Sequence, residues 1–141
     1  MAKILLIEDD PLMLRLYKKI FTFEKHEVEI AKDGEEGLKK AKEINPTLIL
    51  LDIMMPKVHG LQVLEKLKAD EATKKIPVVI LTNLAGEKDA EAGLAKGAVK
   101  YLIKSEHDPK EVAEIVKGVL AGYTRGEIPK TEVVEEKKAK K

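Results

Sequence analysis

Five short apolar runs, near residues 3–7, 27–31, 47–52, 77–82 and 99–103, alternate with longer stretches where apolar positions recur at helical spacing. Runs this short and this rich in Ile, Leu and Val suit strands covered on both faces. Two of them end in carboxylates: Lys3-Ile4-Leu5-Leu6-Ile7 runs into Glu8-Asp9-Asp10, and Thr47-Leu48-Ile49-Leu50-Leu51 runs into Asp52. Between strands, Asp10 supplies an N-cap carboxylate and Pro11 opens a first helix with Leu12, Leu16, Ile20 and Phe23 on one side. Gly34 to Ile44 makes a second helix through Leu38, Ala41 and Ile44, and Gly60 precedes a third carrying Leu61, Leu64 and Leu67. The fourth, from about Glu87 to Ala95, is Ala-rich and thin in large apolar residues, so it is expected to be the least firmly anchored. The fifth places Val112, Ile115, Val116, Val119 and Leu120 on one buried stripe.

This alternation predicts an α/β protein, a doubly wound five-stranded parallel sheet with five helices and right-handed crossovers. It fills residues 1–122 as one domain. From there the text changes, with Gly122, Gly126 and Pro129 breaking regular structure and Glu132 to Lys141 mostly Glu, Lys and Val. Residues 123–141 are read as a flexible Lys/Glu-rich tail.

Composition narrows the function classes. With no Trp and five aromatic residues among 141, the core must be aliphatic, and the absence of Cys removes disulfides and thiolate metal sites. No apolar stretch approaches the length of a membrane span, so the reading is soluble and cytoplasmic, with no membrane partner. The formal charge of +1 divides unevenly: residues 124–141 hold six basic and four acidic groups, leaving 20 and 21 in the body. No segment has the concentrated basic face of a nucleic-acid binder. His26, His59 and His107 fall in loops or turns without ligand spacing, so none is assigned a metal.

If the first and third strands are parallel neighbours, Glu8, Asp9 and Asp52 meet at the carboxyl edge of the sheet, where such proteins place ligands. A cluster of that kind suits a hard cation with oxygen ligands. Left empty it repels itself: two carboxylates about 5 Å apart at an effective dielectric near 20 do so by roughly 3 kcal/mol.

The set Ile7-Glu8-Asp9-Asp10, Leu51-Asp52-Ile53-Met54-Met55-Pro56 with Gly60, Ile80-Leu81-Thr82 and Tyr101-Leu102-Ile103-Lys104 resembles the receiver domain of two-component response regulators, here a stand-alone one. The resemblance covers about the first 122 residues. It implies the flavodoxin-like strand order 2-1-3-4-5. It further implies Asp52 as phosphoacceptor, Mg²⁺ held by Glu8, Asp9, Asp52 and the backbone carbonyl of Met54, and Lys104 and Thr82 as the groups that bind the phosphoryl oxygens. Thr82 and Tyr101 would form the switch, a bond from Thr82 to the phosphoryl group freeing space for Tyr101 to turn inward. The implied partners are a histidine kinase or histidine phosphotransfer protein and a downstream protein bound through the face of the fourth helix, fifth strand and fifth helix. The expected state is a monomer or a phosphorylation-dependent dimer. The protein would be no enzyme beyond weak Mg²⁺-dependent self-phosphorylation from small donors and self-dephosphorylation.

Two positions depart from the family. Ser105 follows Lys104 where proline, often after a cis bond, is usual, and Asn83 follows Thr82 where a very small residue is common. The competing reading is a receiver-like interaction module that works without phosphorylation. A small phosphatase would want a general acid two residues after its aspartate, where Met54 stands, and a flavodoxin-like cofactor binder would want a phosphate-cradling loop where Glu8-Asp9-Asp10 stands.

Overall fold

The computed structural model describes residues 2–55, 59–84, 86–124 and 132–134. In chain order the elements are β1 (Lys3–Ile7), α1 (Pro11–Phe23), β2 (Glu27–Ala31), α2 (Gly34–Ile44), β3 (Leu48–Leu51), α3 (Gly60–Ala69), β4 (Val78–Thr82), α4 (Glu87–Ala95), β5 (Lys100–Ile103), α5 (Pro109–Thr124) and β6 (Glu132–Val134). The strands are all parallel, in the order β2-β1-β3-β4-β5-β6. The five-stranded order 2-1-3-4-5 is therefore present, with a sixth short strand on the β5 side.

Alternation along each strand divides the core in two. Leu5, Ile7, Ile49, Leu51, Val78, Ile80 and Tyr101 face α2, α3 and α4, whereas Ile4, Leu6, Leu48, Leu50, Val79, Leu81 and Leu102 face α1 and α5. β1, β3 and β4 are buried almost end to end, which is why they read as unbroken apolar runs.

Helix starts follow the sequence signals. Asp10 caps α1, its carboxylate accepting from the Leu12 N–H at 3.0 Å, with Pro11 in the first turn. Asp108 and Glu111 make a reciprocal capping box at α5, with N–H to carboxylate distances of 3.0 and 2.9 Å. His59 caps α3, its Nδ1 accepting from the Leu61 N–H.

One expectation needs correction. The inward stripe of α1 is Leu14, Tyr17 and Phe21, while Leu12, Leu16 and Phe23 are exposed. Both faces of this helix are apolar enough to be buried, and the larger pair, Tyr17 stacked on Phe21 with ring centroids 6.2 Å apart, takes the core. The segment read as a flexible tail also contributes β6, whose residues Glu132, Val133 and Val134 lie beside Lys100, Tyr101 and Leu102. A bare β5 edge offers unpaired backbone groups, and two consecutive valines favour the extended chain that satisfies them. The rest of that segment, 125–131 and 135–141, lies outside the described residues, as does Pro56. Among the described residues no helix is long and apolar enough to cross a membrane.

Candidate functional site

The register of β1 and β3 builds the site. Ile7 pairs with Leu51, so the next residues, Glu8 and Asp52, leave the sheet side by side, and the Asp52 N–H donates to the Ile7 carbonyl at 3.0 Å. Continuing the strand alternation, Glu8 and Asp52 follow the parity that faces α1 and α5. On the far side of β4, β5 ends at Ile103, paired with Thr82, and Lys104 follows on the same parity as the two acids. The chain then turns through a short 3-10 segment, Lys104–Glu106, and no cis peptide occurs among the described residues. The Ser105 position thus takes its turn without the proline of the family pattern.

Glu8 and Asp52 are buried and Asp9 is exposed. A carboxylate oxygen from each lies within 4.8 Å of the others. The cluster is not left to repel itself. Lys104 Nζ lies 2.7 Å from Glu8 Oε1 and 3.0 Å from Asp52 Oδ2, a single ammonium bridging the two buried acids. The other Asp52 oxygen, Oδ1, accepts from the Met54 N–H at 3.0 Å, and Glu8 Oε2 accepts from the Asp10 N–H at 3.1 Å. Burial pushes the Glu8 carboxyl above its usual range, against the pull of the Lys104 and Asp10 hydrogen bonds. Burial alone would lower the Lys104 ammonium, but the bond to Glu8 and the charges of Asp52 and Glu8 outweigh it and the pKa rises.

This donor set fits a hard divalent cation: three carboxylates, oxygen only, converging from two neighbouring strands. Glu8, Asp9 and Asp52 are the side chains able to hold it. Met54, half-exposed just after Asp52, is placed in the adjoining loop. That loop is pinned by Gly60, whose N–H donates to the Ile53 carbonyl at 3.2 Å and where a methyl group would come within 2.1 Å of the Ile53 Cα, so only glycine lets α3 begin so close to Asp52.

Thr82 and Tyr101 lie on the opposite parity. Thr82 is fully buried, and its Oγ1 accepts from the Leu84 N–H at 3.3 Å. Tyr101 is fully buried too, its hydroxyl donating to the Leu84 carbonyl. The ring thus lies in the inward position, against the loop entering α4. Burial, with the charges of Asp89 and Asp52, pushes its hydroxyl up to about 12. Asn83 is exposed.

The sequence reading brought together Glu8, Asp9, Asp52, Lys104, Thr82 and Tyr101, and missed two participants. Leu84 acts through its backbone, which leaves no sequence signal. Gly93 of α4 packs on Tyr101, and its one signal was a glycine in the interior of a predicted helix.

Comparison with known proteins points to one family. PleD of Caulobacter vibrioides, a response regulator, is 42% identical over 107 residues, 76% of this chain and 24% of its own length. PilH of Pseudomonas aeruginosa is 36% identical over 124 residues, 86% of this chain and 100% of its own. The chain thus spans about a quarter of PleD and the whole of PilH. Among solved structures, the Mn²⁺-bound form of the response regulator Rcp1 superposes with a TM-score of 0.73 at 32% identity, covering 87% of this chain and 94% of the other. Residues 4–117, from β1 into α5, match the response regulator receiver domain, and the chain belongs to that family of two-component signalling domains.

Proposed function

We propose that Asp52 accepts a phosphoryl group from a histidine kinase or histidine phosphotransfer protein and that Mg²⁺ is the cation used. The observation that carries this reading is a buried aspartate with one oxygen on the Lys104 ammonium, the other on the Met54 N–H, and Glu8 and Asp9 beside it. One carboxylate oxygen of Asp52 attacks phosphorus, an acyl phosphate O–P bond forms, and the bond from phosphorus to the donor breaks with its electron pair leaving on the donor. Lys104 offsets charge on the phosphoryl oxygens, and the Thr82 hydroxyl donates to one of them. Held by Glu8, Asp9, Asp52 and the Met54 carbonyl, Mg²⁺ would supply charge neutralisation to the transfer. Water attacking the same phosphorus releases inorganic phosphate and restores the carboxylate.

The output is a change in the face made by α4, β5 and α5, bound by a downstream protein in the cytoplasm. Two observations support the choice of face: Thr82 and Tyr101 both bond to Leu84 in the loop entering α4, and α4 buries only Ala90 and Gly93.

Acetyl phosphate with Mg²⁺ tests the chemistry. Intact mass should gain one phosphoryl group, mapped to Asp52, lost with EDTA and absent in Asp52→Asn. An adduct elsewhere, or none under conditions that preserve acyl phosphates, refutes the assignment.

A further inference from the structure

Helix α4 is the most weakly anchored helix of the fold, yet it carries in its interior the residue that favours helix least apart from proline. The reason lies beneath it. A methyl group built on Gly93 would come 2.7 Å from Ile80 Cδ1, and 3.2 and 3.4 Å from Cδ2 and Cε2 of Tyr101. The first clash is with the flexible end of Ile80, and the next two are tight enough that the ring would have to give by a few tenths of an ångström for a methyl group and by more for a branched side chain, so the flank of Tyr101 borders the space a side chain at 93 would need. On its other side the ring is held by its hydroxyl bond to the Leu84 carbonyl. The buried ring is thus held at its hydroxyl end by a hydrogen bond, with room for its flank left by the glycine.

We propose that Gly93 is the positioning residue that leaves room for the Tyr101 ring to lie buried beneath α4. The inference rests on the reading of Tyr101 as the switch aromatic and names what makes room for its inward position. With a larger residue at 93, Tyr101 and the side chain compete for one space, and the ring turns out to solvent.

The test uses the full chain with 3-fluorotyrosine in place of its three tyrosines, the Tyr101 signal assigned by Tyr101→Phe. The readout is the fluorine shift between H₂O and D₂O, which reports solvent contact and is unaffected by a loss of stability alone. The parent should show almost no solvent shift at Tyr101, and Gly93→Val should show the shift of an exposed tyrosine. Ala95→Val, on the exposed side of the same helix, carries the same β-branched penalty and should match the parent. Because Ile80 is the nearest atom, Ile80→Val is added to Gly93→Val to remove Cδ1; Tyr101 should stay exposed. Should Gly93→Val fail to fold, Gly93→Ala with Ile80→Val takes its place, with a partial shift expected. A folded Gly93 variant whose Tyr101 stays protected overturns the proposal, as does exposure in Ala95→Val or reburial on Ile80→Val. Beryllofluoride with Mg²⁺ separates this from the phosphoacceptor reading. If that reading fails, amide shifts at Thr82 are absent in every variant, while the fluorine result stands or falls by itself.

Discussion

Replacing Lys104 by Met keeps the stem and removes the ammonium between Glu8 and Asp52. At 2.7 and 3.0 Å, an effective dielectric near 20 puts the two gross attractions at about 6 and about 5.5 kcal/mol. Most of that offsets desolvation, since side-chain exposure is 10% at the lysine, 2% at Glu8 and 6% at Asp52. What the substitution adds is two buried carboxylates with no cation, and breaking such a pair from one side costs about 3–5 kcal/mol. Lys104→Met should therefore lose about that much stability in urea at neutral pH with EDTA present. The sign with pH is set by Glu8, whose folded pKa lies above its unfolded value. The folded state binds the extra proton, so lowering pH through that pKa favours folding, and the deficit of the variant should shrink on acidification. Mg²⁺ provides the second half of the assay. In the parent it must compete with an ammonium already in place; in the variant it meets bare acids, so saturating Mg²⁺ should raise the midpoint of the variant more than that of the parent. A variant within 1 kcal/mol of the parent in EDTA, or one with the smaller Mg²⁺ response, refutes the view that Lys104 stands in for the cation.

Tyr17 is buried near Glu8 and Asp108, and burial chiefly pushes its hydroxyl to about 12, so its contribution to stability is present below pH 10 and lost as pH rises toward 12. Two units correspond to about 3 kcal/mol, and Tyr17→Phe should flatten the alkaline arm of a urea-midpoint profile; an unchanged arm would contradict this. Gly60→Ala drives a methyl group into the backbone of Ile53, and the expected loss exceeds about 3 kcal/mol together with slower acetyl phosphate labelling of Asp52; a variant that melts like the parent counts against the close packing. Deleting residues 125–141 removes β6, so hydrogen exchange within Lys100–Leu102 should accelerate while β1 and β3 stay protected. Equal protection with and without the segment would show that β6 does not hold that edge.

The parallel sheet was legible because β1, β3 and β4 are buried on both faces and so read as unbroken apolar runs, and the acids were legible because they interrupt those runs where nothing in folding requires them. Other features turned on volume or backbone. In α1 two apolar stripes compete, and only the packing of Tyr17 on Phe21 decides between them. That Lys104 reaches Glu8 as well as Asp52 depends on a 3-10 turn that Lys-Ser-Glu does not announce. The room for an inward Tyr101 comes from a side chain that is absent at 93, and a glycine in a helix reads first as a weak helix. β6 was hidden by its neighbours, a Val-Val pair set in a charged, Pro- and Gly-punctuated stretch.

Leu84 speaks to Thr82 with its N–H and to Tyr101 with its C=O. Every natural amino acid but proline carries both groups, so the link between Thr82 and Tyr101 is made by a part of the chain that side-chain replacement leaves in place. An alanine at 84 would remove a side chain packed against the core yet leave both backbone bonds in place, so its effect would report packing rather than this link. The link becomes visible only to chemistry aimed at the peptide group, such as an ester in place of the Leu84 amide, which deletes the donor and leaves the side chain where it was.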